Sequence, residues 1–164
     1  MCGSAMEKIQ RHPEDINLML EDAISRVKAF FDRGKIRIIY KGIELEALFP
    51  CDAMWMEECF TTLLENAAEN ALPESEASIS LRIENPYYAI SISSCPKRMP
   101  PNQEKIFERF YSTSGSGHFG IGLHMCKQII ESHHGHISCS FRENQIIFHL
   151  LLPIMDARAY DSVT

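Results

Sequence analysis

Apolar side chains recur every three or four positions in three stretches of the chain, which is the period of an amphipathic helix. Gly34 follows the first stretch and Gly135 the third, each where a helix C-terminal cap is expected. Asp52 precedes the second stretch as a natural N-cap. The predicted helices cover about 16–33, 53–71 and 121–134, with a further short helix at 103–111.

Alternating apolar and polar residues predict strands, and no element is predicted before Ile16. Two strand pairs are close enough in sequence to form hairpins, one around 85–87 and one around 142–144. Pro50 would end the second strand, and the stretch 95–102 has no regular pattern. The predicted strands are 35–40, 43–49, 78–84, 88–93, 136–141 and 145–151.

Helices interspersed with hairpins favour one α/β domain, for which 164 residues suffice. We expect a two-layer α/β sandwich, in which a mixed, mostly antiparallel sheet is covered on one face by about three helices. The sequence contains no internal repeat and no domain linker.

The composition excludes several classes of function. A formal net charge of −6 without a basic run argues against nucleic acid binding. No apolar run is long enough for a membrane span and no signal core begins the chain, so we expect a cytoplasmic segment without membrane contact of its own. The cysteines form no C-x-x-C pair and are expected to be free thiols, and the histidines near 133–136 lack further ligands at metal spacing.

The second predicted helix carries one candidate for chemistry. Asn66 lies beside its apolar stripe, and Glu69 and Asn70 follow near the same face. An asparagine carbonyl oxygen is a suitable Mg²⁺ ligand when waters and phosphate oxygens complete the shell. An asparagine at a helix edge is, however, more often only solvated.

A glycine-rich stretch before the third helix is the other candidate. Glycines let the backbone approach a phosphate closely, and the first amides of a helix favour negative charge. Ile121 and Leu123 would begin that helix, where the loop passes into it. A flexible turn also uses glycine, but serines between the glycines indicate a mobile flap. The glycines are Gly115, Gly117, Gly120 and Gly122.

Together these segments resemble the ATP-binding catalytic domain of sensor histidine kinases, which has the Bergerat-type fold also found in gyrase, Hsp90 and MutL. TTLLENAAENA resembles the asparagine box of that family, 104–111 its phenylalanine box and 120–123 its second glycine box. The resemblance extends over 15–153, as a histidine-kinase-like ATPase domain. Residues 1–14 would then be an N-terminal segment, either the end of a preceding domain or the edge of an excised piece, and 154–164 a C-terminal tail.

The resemblance implies that the chain binds ATP and Mg²⁺. Asn66 would bind the magnesium ion, 112–119 would form a short ATP lid, and Phe107 and Phe110 would pack the base of that lid. The backbone at 120–123 would meet the phosphates. The implied nucleotide contacts are Asn66, Asn70, Ser93 or Ser94, Gly115, Gly117, Gly120, Ile121, Gly122 and Leu123.

The sequence departs from the family pattern on the adenine side. The family reads adenine with an aspartate in a D-x-G-x-G box, but 93–100 contains neither aspartate nor glycine. Ser93 or Ser94 stands in its place, and an uncharged hydroxyl accepts a weaker hydrogen bond than a carboxylate. Glu69 stands where a cation often approaches the phosphates. A gyrase-like hydrolase would carry a general-base glutamate where this chain has Thr62.

Two functions remain open. The chain is either the catalytic domain of a sensor histidine kinase or a degenerate, ATP-deficient relative that acts through protein contacts. The first would present the γ-phosphate to a histidine on a separate helical domain of a longer parent chain and serve a response regulator, and would not autophosphorylate alone. It would be the cytoplasmic part of a sensor. A loop at 95–101 that fills the adenine pocket with Pro96 or Met99 would favour the second.

Overall fold

A computed structural model of the chain describes residues 9–100, 102–103, 105–108 and 121–155. The helices in these ranges are α1 (Ile16–Arg33), α2 (Ala53–Asn70) and α3 (Leu123–Ser132), with a short 3-10 helix at Lys105–Phe107. The strands are β1 (His12–Asp15), β2 (Arg37–Lys41), β3 (Leu48–Cys51), β4 (Glu76–Glu84), β5 (Tyr87–Ser94), β6 (His136–Arg142) and β7 (Gln145–Pro153).

Five strands form one mixed sheet in the order β2-β4-β5-β7-β6. β2 and β4 run parallel, and the other neighbouring pairs are antiparallel. β1 and β3 form a separate antiparallel pair. The predicted mixed, mostly antiparallel sheet is confirmed, including both hairpins.

One face of the five-stranded sheet carries the helices and the core. Inward side chains of its strands are buried together with the apolar stripes of α1, α2 and α3. The opposite face is half-buried or exposed, because successive side chains of a strand point to opposite sides. The predicted two-layer α/β sandwich with helices on one face is therefore confirmed. Serines occupy much of the outer face: Ser78, Ser80, Ser91, Ser93, Ser138 and Ser140.

Aspartates begin the two long helices. The predicted N-cap Asp52 accepts a hydrogen bond from the backbone N–H of Trp55 over 3.5 Å. Asp15 caps α1 in the same way and accepts from the N–H of Asn17 over 2.9 Å. These contacts satisfy amides that have no partner within the helix.

The helix ends differ in detail from the prediction. Gly34 is the C-cap of α1, but its φ is −83°, and the left-handed residue is Lys35 with φ 59°. At the end of α3 the left-handed residue is His134, with φ 65°. Gly135 is required for another reason, since a Cβ there would lie 2.6 Å from the carbonyl oxygen of Leu151.

The β1–β3 pair was not predictable from alternation. Pro13 lies opposite Pro50 in this pair, so neither residue needs to donate a ladder hydrogen bond. Pro50 lies inside β3 rather than at its end, and the predicted strand at 43–49 is mostly loop. The side chain of Asn17 holds that loop to α1, because its Nδ2 donates to the carbonyl oxygens of Ile43 and Leu45.

The segment before the glycine stretch is less helical than predicted. The described part of 103–111 contains the single 3-10 turn at Lys105–Phe107, and 109–111 lies outside the described residues. α3 starts at Leu123 because Gly122 is extended, with φ −87° and ψ 175°. None of the helices in the described ranges has both the length and the apolar character of a membrane span.

Candidate functional site

α2 places Asn66 and Asn70 one turn apart, beside the buried side chains of Leu63 and Ala67. The Nδ2 atom of Asn70 donates to the backbone carbonyl of Asn66 over 2.8 Å. Both asparagines are half-buried and line a cleft between the C-terminal half of α2 and the loop after β5. The structure therefore brings together the two asparagines that the sequence singled out.

This cleft is small. Its free volume is about 20 Å³, whereas a single water needs roughly 10–15 Å³ and ligand pockets measure roughly 300–1,000 Å³. A nucleotide base does not fit there while the loop after β5 keeps this position. The lining residues are Asn66, Ala67, Asn70, Ser94, Pro96, Arg98, Pro100 and Ile146.

The loop after β5 closes the cleft because it is hydrogen-bonded to the end of α2. The backbone N–H of Lys97 donates to the carbonyl of Asn70 over 2.6 Å, and that of Leu72 donates to the carbonyl of Cys95 over 2.8 Å. Between these bonds, Pro96 forms an isolated β-bridge with the residue after Asn70. The loop that the sequence identified as decisive thus holds Pro96 in the cleft wall.

The pleat of β5 separates the two serine candidates. Ser94 is 4% exposed and lines the cleft. Ser93 lies on the outer face of the sheet, opposite Ser78 on β4 and Ile147 on β7. Of the two residues, the structure places Ser94 beside the asparagines.

The electrostatic character of the cleft comes from Arg98. It is the charged residue among those that line the described part of the cleft, and no carboxylate is found among them. Glu69 on α2 is exposed and does not contribute to this lining. The cleft therefore offers amide, hydroxyl and guanidinium groups, which suit an anionic or uncharged group better than a cationic one.

α3 begins at a glycine with room around it. Gly122 is exposed and is the N-cap of α3, and a Cβ at this position would meet no atom of the described residues within 4 Å. In this part of the chain nothing covers its backbone and the first amides of α3, which favour an anionic ligand. Ile121 and Leu123 beside it are half-buried. The other proposed phosphate contacts, Gly115, Gly117 and Gly120, and the lid at 112–119 lie outside the described residues.

α2 and α3 run antiparallel. The Sγ atoms of Cys59 and Cys126 each lie 3.8 Å from the backbone carbonyl oxygen of the other residue. The backbone N–H of Asp52 donates to the Nε2 atom of His133. Asp52 is seven residues before Cys59 and His133 is seven residues after Cys126, so both contacts fit one antiparallel register. Both cysteines are fully buried, and burial raises the pKa of Cys59 well above its usual value, so its thiol is neutral.

This register brings the two candidate features to the same end of the helix pair. Leu63 is four residues after Cys59, and Gly122 is four residues before Cys126, so Leu63 and Gly122 lie at the same level of the helix pair. Asn66 is three residues further along α2, which is about 4.5 Å at the rise of an α-helix. Asn66 and the N-terminus of α3 therefore share one end of the helix pair.

The 3-10 helix supports this end of α3. Phe107 is buried and packs edge-to-face on Phe148 of β7, with ring centroids 6.0 Å apart. Its carbonyl oxygen lies 3.3 Å from Nδ1 of His124 on α3, and the Lys127 ammonium lies 5.9 Å from its ring. The predicted structural role fits the position of Phe107, whereas Phe110 lies outside the described residues.

Comparison with known protein families gives a match over most of the chain. A family model described as histidine kinase-, DNA gyrase B-, and HSP90-like ATPase matches residues 51–155. This range contains α2, the cleft and α3.

Individual proteins are similar to the chain at low identity. The alginate biosynthesis sensor protein KinB of Pseudomonas aeruginosa is 27% identical over 157 residues, which are 92% of this chain and 26% of KinB. The chain thus spans about a quarter of the length of this relative. The catalytic domain of histidine kinase ThkA superposes with a TM-score of 0.79 at 21% identity, over 88% of this chain and 96% of that domain. Full-length ShkA in complex with AMPPNP superposes with a TM-score of 0.79 at 17% identity, over 95% of this chain and 34% of ShkA.

Proposed function

The chain belongs to the family of histidine kinase-, DNA gyrase B- and HSP90-like ATPases, and on that premise we propose that it is the ATP-binding catalytic domain of a sensor histidine kinase in a two-component system. It has the fold of histidine kinase catalytic domains. The observation that carries the proposal is the shared position of Asn66 and the open N-terminus of α3 at one end of an antiparallel helix pair.

The residues at this end fit the phosphate half of a Mg-ATP site. The Oδ1 atom of Asn66 is a hard oxygen ligand of the kind that Mg²⁺ accepts beside waters and phosphate oxygens. The amides that begin α3 at Gly122 and Leu123 favour a phosphate, because their N–H groups and the helix dipole are directed towards it. Arg98 adds positive charge in the adjoining cleft.

The base half of the site does not fit a nucleotide in this conformation. About 20 Å³ is available between the asparagines and Pro96. A base that binds in this cleft requires the loop at 95–100 to leave α2, which means breaking the bonds at Asn70 and Leu72. Ser94 would then be the hydroxyl nearest to a bound base on β5.

When bound, ATP supplies a transferable γ-phosphoryl group, and the work of this chain is to position it and balance its charge. The acceptor would be a histidine on a separate helical domain of a longer parent chain, so this segment alone would not autophosphorylate. A response regulator would receive the phosphoryl group, and the segment would be the cytoplasmic part of a sensor. The catalytic domain would cover 15–153, between an N-terminal segment at 1–14 and a C-terminal tail at 154–164.

One observation favours a second function. The cleft is closed by Pro96, and neither the described lining nor 93–100 supplies a carboxylate to read a base. A chain with these features would serve as an ATP-deficient module that acts through protein contacts with a kinase or response regulator.

Calorimetric titration with a non-hydrolysable ATP analogue, with and without Mg²⁺, separates the two functions. For the kinase function we expect Mg²⁺-dependent binding that Asn66→Ala abolishes. The matched control is Asn144→Ala, in the exposed β6–β7 turn, which should bind as the unsubstituted chain does. Thermal unfolding of each variant confirms that the fold is retained. Absence of binding up to about millimolar ligand, where binding free energy is only about 4 kcal/mol, would favour the second function.

A further inference from the structure

We propose that the free edge of β2, together with the groove between β2 and α1, docks an extended acidic peptide segment of a partner protein as an added strand. β2 is the outermost strand on its side of the sheet, and β4 is its strand neighbour in the described part of the chain. An edge strand of this kind presents backbone groups with which a second chain can pair. The proposal does not depend on nucleotide binding.

The hydrogen bonds of β2 identify the outward groups. The backbone N–H of Arg37 donates to the carbonyl of Ser75 over 3.0 Å, so Arg37 is bonded towards the β4 side. In a parallel pair, alternate residues of a strand bond to the same neighbour. The N–H and C=O groups of Ile38 and Tyr40 therefore point to the open edge, which can accept a short added strand.

A groove lies beside this edge and could take the side chains of such a strand. Its volume is about 550 Å³, against about 20 Å³ for the cleft at Asn66. Isoleucines form much of its wall, and Ile24 and Ile38 are both half-buried. Ile39, on the other face of β2, is 37% exposed. The groove is lined by Ile24, Lys28, Asp32, Ile36, Arg37, Ile38, Ile39 and Tyr40.

Two cations and one carboxylate, Asp32, are the charged residues that line the described part of this groove, in a chain of net charge −6. The two cations are Lys28 and Arg37. The Arg37 side chain stays 76% exposed even though it lies 3.5 Å from Glu76, so it can reach a further carboxylate. This local charge is complementary to an acidic segment.

The two ends of the groove differ in the charge of the residues around them. Asp15 and Glu21 lie near Tyr40, and they add to the effect of burial, the larger cause, in raising the pKa of Tyr40 to about 12. The acidic residues of a partner would therefore lie near Lys28 and Arg37, and its uncharged residues near Tyr40. A uniformly anionic surface, such as nucleic acid or an acidic membrane, would be repelled at the Tyr40 end and would not use the outward backbone groups.

The test uses fluorescence anisotropy with two labelled hexapeptides, one of sequence Asp-Glu-Val-Thr-Val-Thr and one with Lys in place of both acids. We expect saturable binding of the acidic peptide and about tenfold weaker binding of the basic one, as electrostatic complementarity predicts. Combined charge reversal of Lys28→Glu and Arg37→Glu should weaken the acidic peptide by about tenfold. Ile38→Pro should weaken it as well, because it removes an outward N–H without removing a bond to β4.

The matched control is the double reversal Lys127→Glu and Arg142→Glu, which changes net charge equally on α3 and on β6, the edge strand opposite β2. It should leave peptide binding unchanged, and circular dichroism should report folded protein for every variant. Equal weakening by both double reversals would overturn the proposal, because it would indicate attraction by net charge alone. Preferential binding of a DNA duplex or of phosphatidylserine vesicles, or no saturable peptide binding, would overturn it too.

Discussion

The Nε2 atom of His133 accepts a hydrogen bond from the backbone N–H of Asp52 over 3.2 Å, across 81 residues of sequence. Its Nδ1 atom must carry the proton, because it lies 2.7 Å from the carbonyl oxygen of Ile129. The ring is 1% exposed, and burial lowers the pKa of His133, although its hydrogen bond to Ile129 opposes this. A neutral imidazole therefore ties the end of α3 to the start of α2.

This arrangement predicts a loss of stability in mild acid. The folded pKa of His133 lies below the unfolded value of about 6.5, so the unfolded chain binds more protons as the pH falls. The contribution of the neutral ring is thus complete above about pH 6.5 and decreases as the pH falls towards the folded pKa. Arg11 and His134 act in the same direction, and Asp52 opposes them. We expect the thermal unfolding midpoint to decrease from about pH 7 to about pH 5.

The variant His133→Gln separates this effect from general acid sensitivity. It should lower the free energy of unfolding at neutral pH by about 1–3 kcal/mol, through the loss of buried hydrogen bonds. Its midpoint should also depend less on pH between about 5 and 7. His12→Gln, at an exposed position, should keep the original pH profile. If His133→Gln retained the full pH dependence, the assignment to His133 would be wrong.

The sequence predicted the long elements because their patterns are local. The apolar period and the cap at Asp52 located α2, and both hairpins followed from alternation around short turns. β1 was missed because its reason is not local. It is held by pairing with β3, where Pro13 and Pro50 face each other, and neither segment alternates on its own.

The candidate site could be predicted as a set of residues but not as a shape. Motif spacing singled out Asn66 and Gly122, and the structure places both at one end of the α2–α3 pair. The choice between Ser93 and Ser94 required knowing which of the two side chains of β5 points to the inner face of the sheet. Closure of the cleft depends on backbone hydrogen bonds between 70–72 and 95–97, and no residue type in either segment predicts them.

Two glycines at the ends of α3 should respond differently to alanine. Gly135→Ala should lower the free energy of unfolding by about 1–3 kcal/mol, the usual cost of overpacking, because its Cβ would lie 2.6 Å from the Leu151 carbonyl oxygen. Gly122→Ala should leave stability nearly unchanged, since no atom of the described residues would lie within 4 Å of the added Cβ. Urea denaturation measures both. If Gly122→Ala also weakens nucleotide binding, the space at Gly122 serves a ligand rather than the fold.

The cysteines should react in an order set by burial. Cys59 and Cys126 are fully buried between α2 and α3, and burial raises the pKa of Cys59, which keeps its thiolate scarce. Cys95, in the loop after β5, is half-buried. Mass spectrometry after brief iodoacetamide treatment of native protein should find Cys95 labelled before Cys59 and Cys126. The labelled fraction of Cys59 and Cys126 should increase with urea concentration. Equal labelling of Cys59 and Cys95 without denaturant would contradict this packing.

The bond between the Lys97 N–H and the Asn70 carbonyl should limit access to the base half of the proposed nucleotide site. Lys97→Pro removes this donor, whereas Lys97→Ala retains it and removes the same charge. If the loop must leave α2 before a base can enter, Lys97→Pro should bind the ATP analogue more tightly. The gain should be between about twofold and tenfold, because one hydrogen bond contributes about 0.5–1.5 kcal/mol.

Calorimetry on the two variants distinguishes the backbone bond from the side-chain charge. Lys97→Ala should bind the analogue about as well as the unsubstituted chain, because the loop stays bonded to α2. Equal gains in both variants would indicate that the ammonium group, and not the loop position, controls affinity. Unchanged binding in Lys97→Pro would mean that closure of the cleft does not lower the affinity for the nucleotide. The base would then have to bind outside the space between Asn66 and Pro96.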